Sequence, residues 1–178
     1  MLHFDFDDKQ ITDLAAELGA SDKDVKRAMN RAVKRTAGTI RRMSSKGLQT
    51  ELGLRNATAI RRRIKEYRVG KGRGSVKLWY GVNDLPISAF PGRKRVTGDG
   101  VQVGEIRIDG AFLTKIRGKQ SAYIRHGRGR WDIREATVPI EDRARVYLED
   151  EVFVEIEAIL WKHFSHEIRA ILILHVGK

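Results

Sequence analysis

The chain has 178 residues, 41% of them hydrophobic, and its 35 Lys and Arg against 23 Asp and Glu give a formal net charge of +12. This length suits one cooperative domain, 1–178, with its own core, and the charge indicates an anionic partner such as nucleic acid or an acidic protein face. No cysteine is present, which excludes disulfides, thiolate chemistry and cysteine-based zinc sites.

The N-terminal stretch combines a strand pattern with a helix pattern. Residues 2–6 alternate apolar and polar side chains, and an aspartate at position 7 or 8 can cap a helix that ends at Gly19. The first residues are acidic where a signal peptide needs a positive start, and no run approaches the roughly 18 apolar residues of a membrane span. We therefore expect a soluble protein with no membrane partner.

A long basic helix is predicted over residues 21–47. Ser21, with Asp24 three residues later, is typical of a helix N-terminus. Apolar or small residues then recur every three or four positions, at Val25, Ala28, Ala32, Thr36, Ile40 and Met43. Around this stripe stand the cations Lys26, Arg27, Arg31, Lys34, Arg35, Arg41 and Arg42. At about 1.5 Å per residue the helix spans roughly 40 Å.

A third helix is predicted from the spacing of Ala59, Ile60 and Ile64, and it would carry Arg61, Arg62 and Arg63. We therefore expect residues 1–66 to be helical. From residue 67 glycines break the chain, and alternating patterns predict strands over 76–80, 101–108, 111–116, 122–125 and 134–138. The segment 67–140 should form a small, mainly antiparallel sheet with glycine-rich loops.

A long amphipathic C-terminal helix is predicted over residues 141–178. Its broad apolar face holds Leu148, Val152, Ile156, Ile159, Leu160 and Phe164. Residues 169–176 fit a helix or a strand, because the run is β-branched yet uninterrupted. The expected fold class is thus α+β, with a helical N-terminal part, a central sheet part and a long C-terminal helix.

The charge is distributed unevenly along the chain. Residues 26–73 hold 16 basic and 2 acidic residues, whereas residues 141–178 hold 5 basic and 8 acidic ones. The ten cations named above are therefore candidate contacts to DNA or another anionic partner, bound through phosphates irrespective of base sequence. Glu149, Asp150 and Glu151 are candidate subunit contacts, because opposite charges in one chain permit head-to-tail association. Aromatic residues near the basic run are few, at Tyr67, Trp79 and Tyr80, and do not support recognition of single strands by stacking.

Three further patterns in the sequence bear on function. Residues 14–30 imitate a helix-turn-helix, although the second helix continues well past the length of a recognition helix. His163 and His166 stand three apart on the last helix, where two imidazoles could hold a metal only with a third ligand. The glycines at 70, 72 and 74 lack the order of a phosphate-binding loop. Since no catalytic motif is present either, we expect a non-enzyme without cofactor or metal.

Several short segments follow one another along the chain in an order that is typical of one protein family. They are the tripeptide Asn30, Arg31, Ala32, the arginine-rich stretch 53–63, Leu85 to Ile87, GAFL at 110–113, YIRHG at 123–127 and VPI at 138–140. In this order, over residues 28–140, the chain resembles the phage minor tail protein Z family. Arg130, Trp131 and Asp132 stand where that family has arginine, leucine and proline.

The resemblance implies a structural protein of a tailed phage or prophage that acts in tail completion. Its partners would be other tail proteins, non-specifically bound double-stranded DNA, and further copies of itself in an oligomer or ring. Its location would be the virion tail and, during assembly, the host bacterial cytoplasm. The alternative function is that of a helix-turn-helix DNA-binding protein.

Overall fold

The computed structural model describes residues 8–69, 75–129 and 132–176. The helices in chain order are α1 (Asp8–Glu17), α2 (Asp22–Glu51), α3 (Thr58–Arg61), α4 (Glu141–Tyr147) and α5 (Ile156–Val176). The strands are β1 (Ile64–Val69), β2 (Ser75–Tyr80), β3 (Leu85–Pro86), β4 (Lys94–Thr97), β5 (Gly100–Val103), β6 (Ile106–Asp109), β7 (Phe112–Ile116), β8 (Lys119–Arg125), β9 (Ile133–Glu135) and β10 (Thr137–Val138).

The predicted α+β class is confirmed, with small antiparallel sheets and a long C-terminal helix. Contacts divide the chain into two compact units. The first comprises Met1–Ser44, Ile64–Tyr80 and Leu148–Lys178, and the second comprises Ser45–Arg63 and Gly81–Tyr147. The single cooperative domain, the glycine-rich loops and the amphipathic character of the last helix stay predictions.

In the first unit, α2 begins as predicted. The backbone N–H of Asp24 donates to the Ser21 carbonyl oxygen at 2.9 Å and to the Ser21 hydroxyl at 3.3 Å, and that hydroxyl donates to the Asp24 carboxylate at 2.5 Å. The helix continues to Glu51, four residues beyond the predicted end. Gly19, with φ +60, makes the turn between α1 and α2.

The core of the first unit lies between α2 and α5. Ala28 and Ala32 of α2 are fully buried, and their small side chains allow close approach of the facing helix. The side chains of α5 that fill this seam are Leu160, Phe164, Ile168 and Ile171. Because α5 runs to Val176, residues 169–176 are helical, which decides between the two readings of that segment.

The third predicted helix is wrong beyond Arg61. Helix α3 has only four residues, and Ile64 opens strand β1 instead. Strands β1 and β2 pair antiparallel, with Ile64 opposite Tyr80 and Tyr67 opposite Lys77. Ile64 is 2% exposed. Its apolar side chain is buried in the strand, as it would be in a helix that packs on the core, so the apolar pattern alone does not distinguish the two elements. The sheet part therefore begins three residues before the predicted boundary.

In the second unit the strands form three small antiparallel sheets, ordered β10-β3, β4-β5-β6 and β7-β8-β9. The strand predicted over 101–108 is two strands, because Gly104 turns the chain with φ +60. The strand predicted over 134–138 is likewise divided into β9 and β10. Strand β4 carries Val96 at 70% exposure, and no sequence pattern predicted it.

Gly47 of α2, also in the second unit, lies against the ring of Tyr147. A Cβ atom built on Gly47 would lie 1.7 Å from the Tyr147 hydroxyl oxygen. A glycine inside a helix costs about 1 kcal/mol relative to alanine, and here the absent side chain makes room for the tyrosine.

The strand predicted over 2–6, the glycine run 70–74 and the pair Arg130 and Trp131 lie outside the described residues. Within the described parts of the chain, no helix has both the length and the apolar character that crossing a membrane would require.

Candidate functional site

The exposed side of α2 in the first unit is cationic. Lys26, Arg27, Lys34 and Arg42 are exposed, and Arg41 is half-buried. Lys26, Arg27, Lys34 and Arg41 lie away from the buried seam, because positions three and four apart share one helix face and the stripe at Ala28 and Ala32 leaves these positions outside. Arg42 instead donates a hydrogen bond to the Thr39 hydroxyl at 3.3 Å. We call Lys26, Arg27, Lys34 and Arg41 the cationic face.

The other two predicted cations of α2 bind a carboxylate of the same chain. Glu167 of α5 is 3% exposed, and its Oε1 lies 2.8 Å from Arg35 Nε and its Oε2 lies 3.5 Å from Arg31 Nη1. Each arginine side chain is about half exposed, so the ion pairs lie at the border between core and solvent. Arg31 and Arg35 therefore hold α5 in place, and part of their charge is already neutralised.

His163 lies one turn before Glu167 and faces α2. Its Nε2 is 3.3 Å from the Thr39 hydroxyl. Loss of solvent around the ring lowers the pKa of His163 below its usual value, and the nearby charges of Arg35 and Lys162 lower it further. Among the residues that the structure describes, no group of three or more His, Cys, Asp or Glu side chains is placed to hold a metal ion.

The second predicted arginine cluster lies in the second unit. Arg61 and Arg62 are exposed where α3 ends. Arg63 instead donates hydrogen bonds to the backbone carbonyl oxygens of Asn83 and Asp84, the latter at 2.9 Å. Arg63 thus fixes the chain before β3, and Arg61 and Arg62 are the members of this cluster that remain accessible.

The three predicted subunit contacts occupy a π-helical turn, Leu148–Val152, in the first unit. Leu148 and Val152 are buried at its two ends, and Glu149, Asp150 and Glu151 between them are exposed. A π turn adds one residue to the helical turn, so the two apolar anchors face inward while three successive acids face water. No ion pair involves these three acids within the described chain. We call Leu148–Val152 the acidic turn.

The aromatic residues near the basic run lie on two faces of the β1–β2 hairpin. Tyr80 points inward, where its hydroxyl lies 2.9 Å from the Ser44 hydroxyl and its ring packs edge-on against Phe153. Burial raises the pKa of Tyr80 above its usual value, and the hydrogen bond with Ser44 opposes that shift. Tyr67 and Trp79 are exposed at 49% and 46%. The sequence pattern did not predict this arrangement, because Ile64, where β1 begins, was assigned to a helix.

Comparisons of the chain with protein-family models, with curated proteins and with solved structures find no match.

Proposed function

We propose that the chain is a structural minor tail protein of a tailed phage or prophage that acts in tail completion and assembles through charged surfaces. The observation that carries the proposal is the acidic turn, in which Glu149, Asp150 and Glu151 are all exposed and make no ion pair within the described chain. Three adjacent carboxylates anchored on buried Leu148 and Val152 form a preorganised contact for a basic partner surface.

The cationic face of α2 is the complementary surface. Lys26, Arg27 and Lys34 are exposed, and in the described residues no carboxylate pairs with them. If the acidic turn of one copy binds the cationic face of the next, the contact is heterologous, and such contacts close into rings or continue as filaments. We propose that such a ring surrounds a central DNA path.

Contact with DNA is the second use proposed for the cationic face. Lysine and arginine side chains along a helix neutralise phosphates whatever the base sequence, and each contact releases counterions. Duplex affinity should therefore fall steeply with added salt. A footprint on one operator that survives moderate salt and is lost on Lys26→Gln would instead support the helix-turn-helix alternative.

The deciding experiment reverses the acidic turn with Glu149→Lys, Asp150→Lys and Glu151→Lys combined. We expect self-association or incorporation into tails to be impaired, most strongly at low salt, while the circular dichroism spectrum of the chain is unchanged. Light scattering over a range of concentrations measures association, and complementation of a tail-defective phage measures infectious particles.

A matched control reverses three exposed acids elsewhere, Asp13, Glu17 and Glu105, which changes the net charge equally. The control should assemble like the wild type. A wild type that stays monomeric, together with a turn variant that still completes tails, would show the charge-pairing mechanism to be wrong.

A further inference from the structure

The outer face of the β1–β2 hairpin carries two aromatic rings and two ammonium groups. In the antiparallel register Lys65 lies opposite Trp79 and Tyr67 lies opposite Lys77. Directly paired residues project from the same face of a sheet, so all four side chains share one surface, and all four are exposed. We call Lys65, Tyr67, Lys77 and Trp79 the hairpin platform.

The opposite face of the hairpin is held inside the first unit. Ile64 is 2% exposed, and Tyr80 is fixed by its hydrogen bond to Ser44 and its edge-on contact with Phe153 at 5.7 Å between ring centroids. Because alternate residues of a strand point to opposite faces, this anchoring keeps the hairpin platform turned to solvent. The platform is a fixed feature of the fold.

The platform has the chemistry of a stacking surface. The Lys65 ammonium lies 5.8 Å from the centre of the Trp79 ring, within the range of a cation–π contact that orients the ring. Tyr67 and Trp79 are diagonal neighbours in the register, and residue positions so related are about 7–8 Å apart in a sheet. Each of the two rings is about half exposed, so each can receive one flat partner.

Charge decides between a protein and a nucleic acid as that partner. The hairpin platform holds two lysines and no acidic residue. Aromatic residues are common in protein–protein interfaces but lysine is depleted there, whereas aromatic rings beside cationic groups are the usual means of binding unpaired bases with their phosphates. A duplex keeps its bases stacked on one another and would leave the two rings unused.

We propose that the hairpin platform binds single-stranded nucleic acid, with bases stacked on Tyr67 and Trp79 and phosphates beside Lys65 and Lys77. This binding is separate from the proposed tail function and from the duplex contacts of the cationic face. The binding does not depend on a particular base sequence, because every base has a π face.

The test measures binding of the full-length chain to a fluorescein-labelled oligothymidylate and to a labelled duplex by fluorescence anisotropy. The double variant Tyr67→Leu with Trp79→Leu keeps the charge and much of the apolar volume but removes the rings. We expect its affinity for the single strand to fall at least tenfold and its affinity for the duplex to change less than twofold. Equal losses on both ligands, or no loss on either, would overturn the proposal.

Two additional variants keep the test decisive if the double variant folds poorly. Trp79→Phe retains an aromatic ring and should restore most of the single-strand affinity that Trp79→Leu loses.

In a chain carrying Trp131→Phe and Trp161→Phe, Trp79 is the sole tryptophan, and oligothymidylate should quench its fluorescence. Binding without quenching would show that the strand does not stack there, and binding of an acidic peptide in place of the oligonucleotide would assign the platform to a protein partner.

Discussion

Glu167 and the acidic turn belong to the same acidic C-terminal segment, yet they differ in every respect that matters for function. Glu167 is 3% exposed and holds Arg31 and Arg35 of the same chain. Glu149, Asp150 and Glu151 are exposed and pair with no cation of the described chain. A count of charges over 141–178 treats all these carboxylates alike. The structure shows that the charge available to a partner is a subset fixed by packing.

The same distinction applies to α2. Its cations were predicted as one surface, but Arg31 and Arg35 are used to secure α5, while Lys26, Arg27 and Lys34 remain accessible. The number of charged residues in a region therefore limits how many ionic contacts it can make with a partner. The packing of α5 against α2 decides which of the α2 cations remain available for those contacts.

The largest expected effect comes from the packing that buries Glu167. Phe164 is 1% exposed in the core between α2 and α5. Phe164→Ala should lower the free energy of unfolding by about 3–5 kcal/mol, through lost apolar burial and the cavity left behind. Urea denaturation measures the loss. Ile173→Ala on the same helix, where the side chain is 71% exposed, is the control and should be nearly neutral. Similar costs for both variants would mean that α5 does not pack as described.

A smaller effect is expected from the ion pairs themselves. Glu167→Gln keeps the shape of the side chain but removes the charge that Arg31 and Arg35 share. We expect a loss of about 1–2 kcal/mol, below the value for a fully buried pair because both arginine side chains are about half exposed. Added salt should reduce the difference. The matched variant Glu149→Gln in the acidic turn should leave the free energy of unfolding unchanged. Equal losses of stability in the two variants would show that Glu167 and Glu149 do not differ in their contribution to stability.

The smallest effect is a pH dependence at His163, which lies beside this ion pair. Because the folded pKa is lowered, the unfolded chain binds the proton more readily. Stability is therefore unaffected by His163 above the ordinary pKa near 6.5 and falls as the pH drops below it. His163→Gln should show a smaller loss of stability between pH 7.5 and 5.5 than the wild type in urea denaturation. A His163→Gln variant that keeps the wild-type profile would refute the assignment.

Local patterns predicted the helices of the first unit well. The Ser21 cap and the three-and-four spacing through Ala28 and Ala32 depend on neighbouring residues, and α2 begins one residue after Ser21. The small seam on α2 was likewise visible in the sequence, since burial follows helical periodicity. The single helix predicted from residue 141 is instead divided into α4 and α5, with the acidic turn between them.

Long-range pairing was not predictable from those patterns. Ala59, Ile60 and Ile64 fit a helix as well as a turn followed by a strand, and only pairing of Ile64 with Tyr80, sixteen residues later, decides for the strand. That error hid the hairpin platform, because Tyr67 and Trp79 share a face only in the antiparallel register. The contacts of Arg31 and Arg35 with Glu167 also join distant parts of the chain, and no local signal marks them.

The close approach of Gly47 and Tyr147 has an evolutionary consequence. Any side chain at position 47 competes with the tyrosine ring for the same volume, since a Cβ there would lie 1.7 Å from the hydroxyl oxygen. The two positions, one hundred residues apart in the chain, are thus constrained as a pair. In descendants of a common ancestor, alanine or serine at 47 should accompany a smaller residue at 147, and a tyrosine at 147 should preserve the glycine.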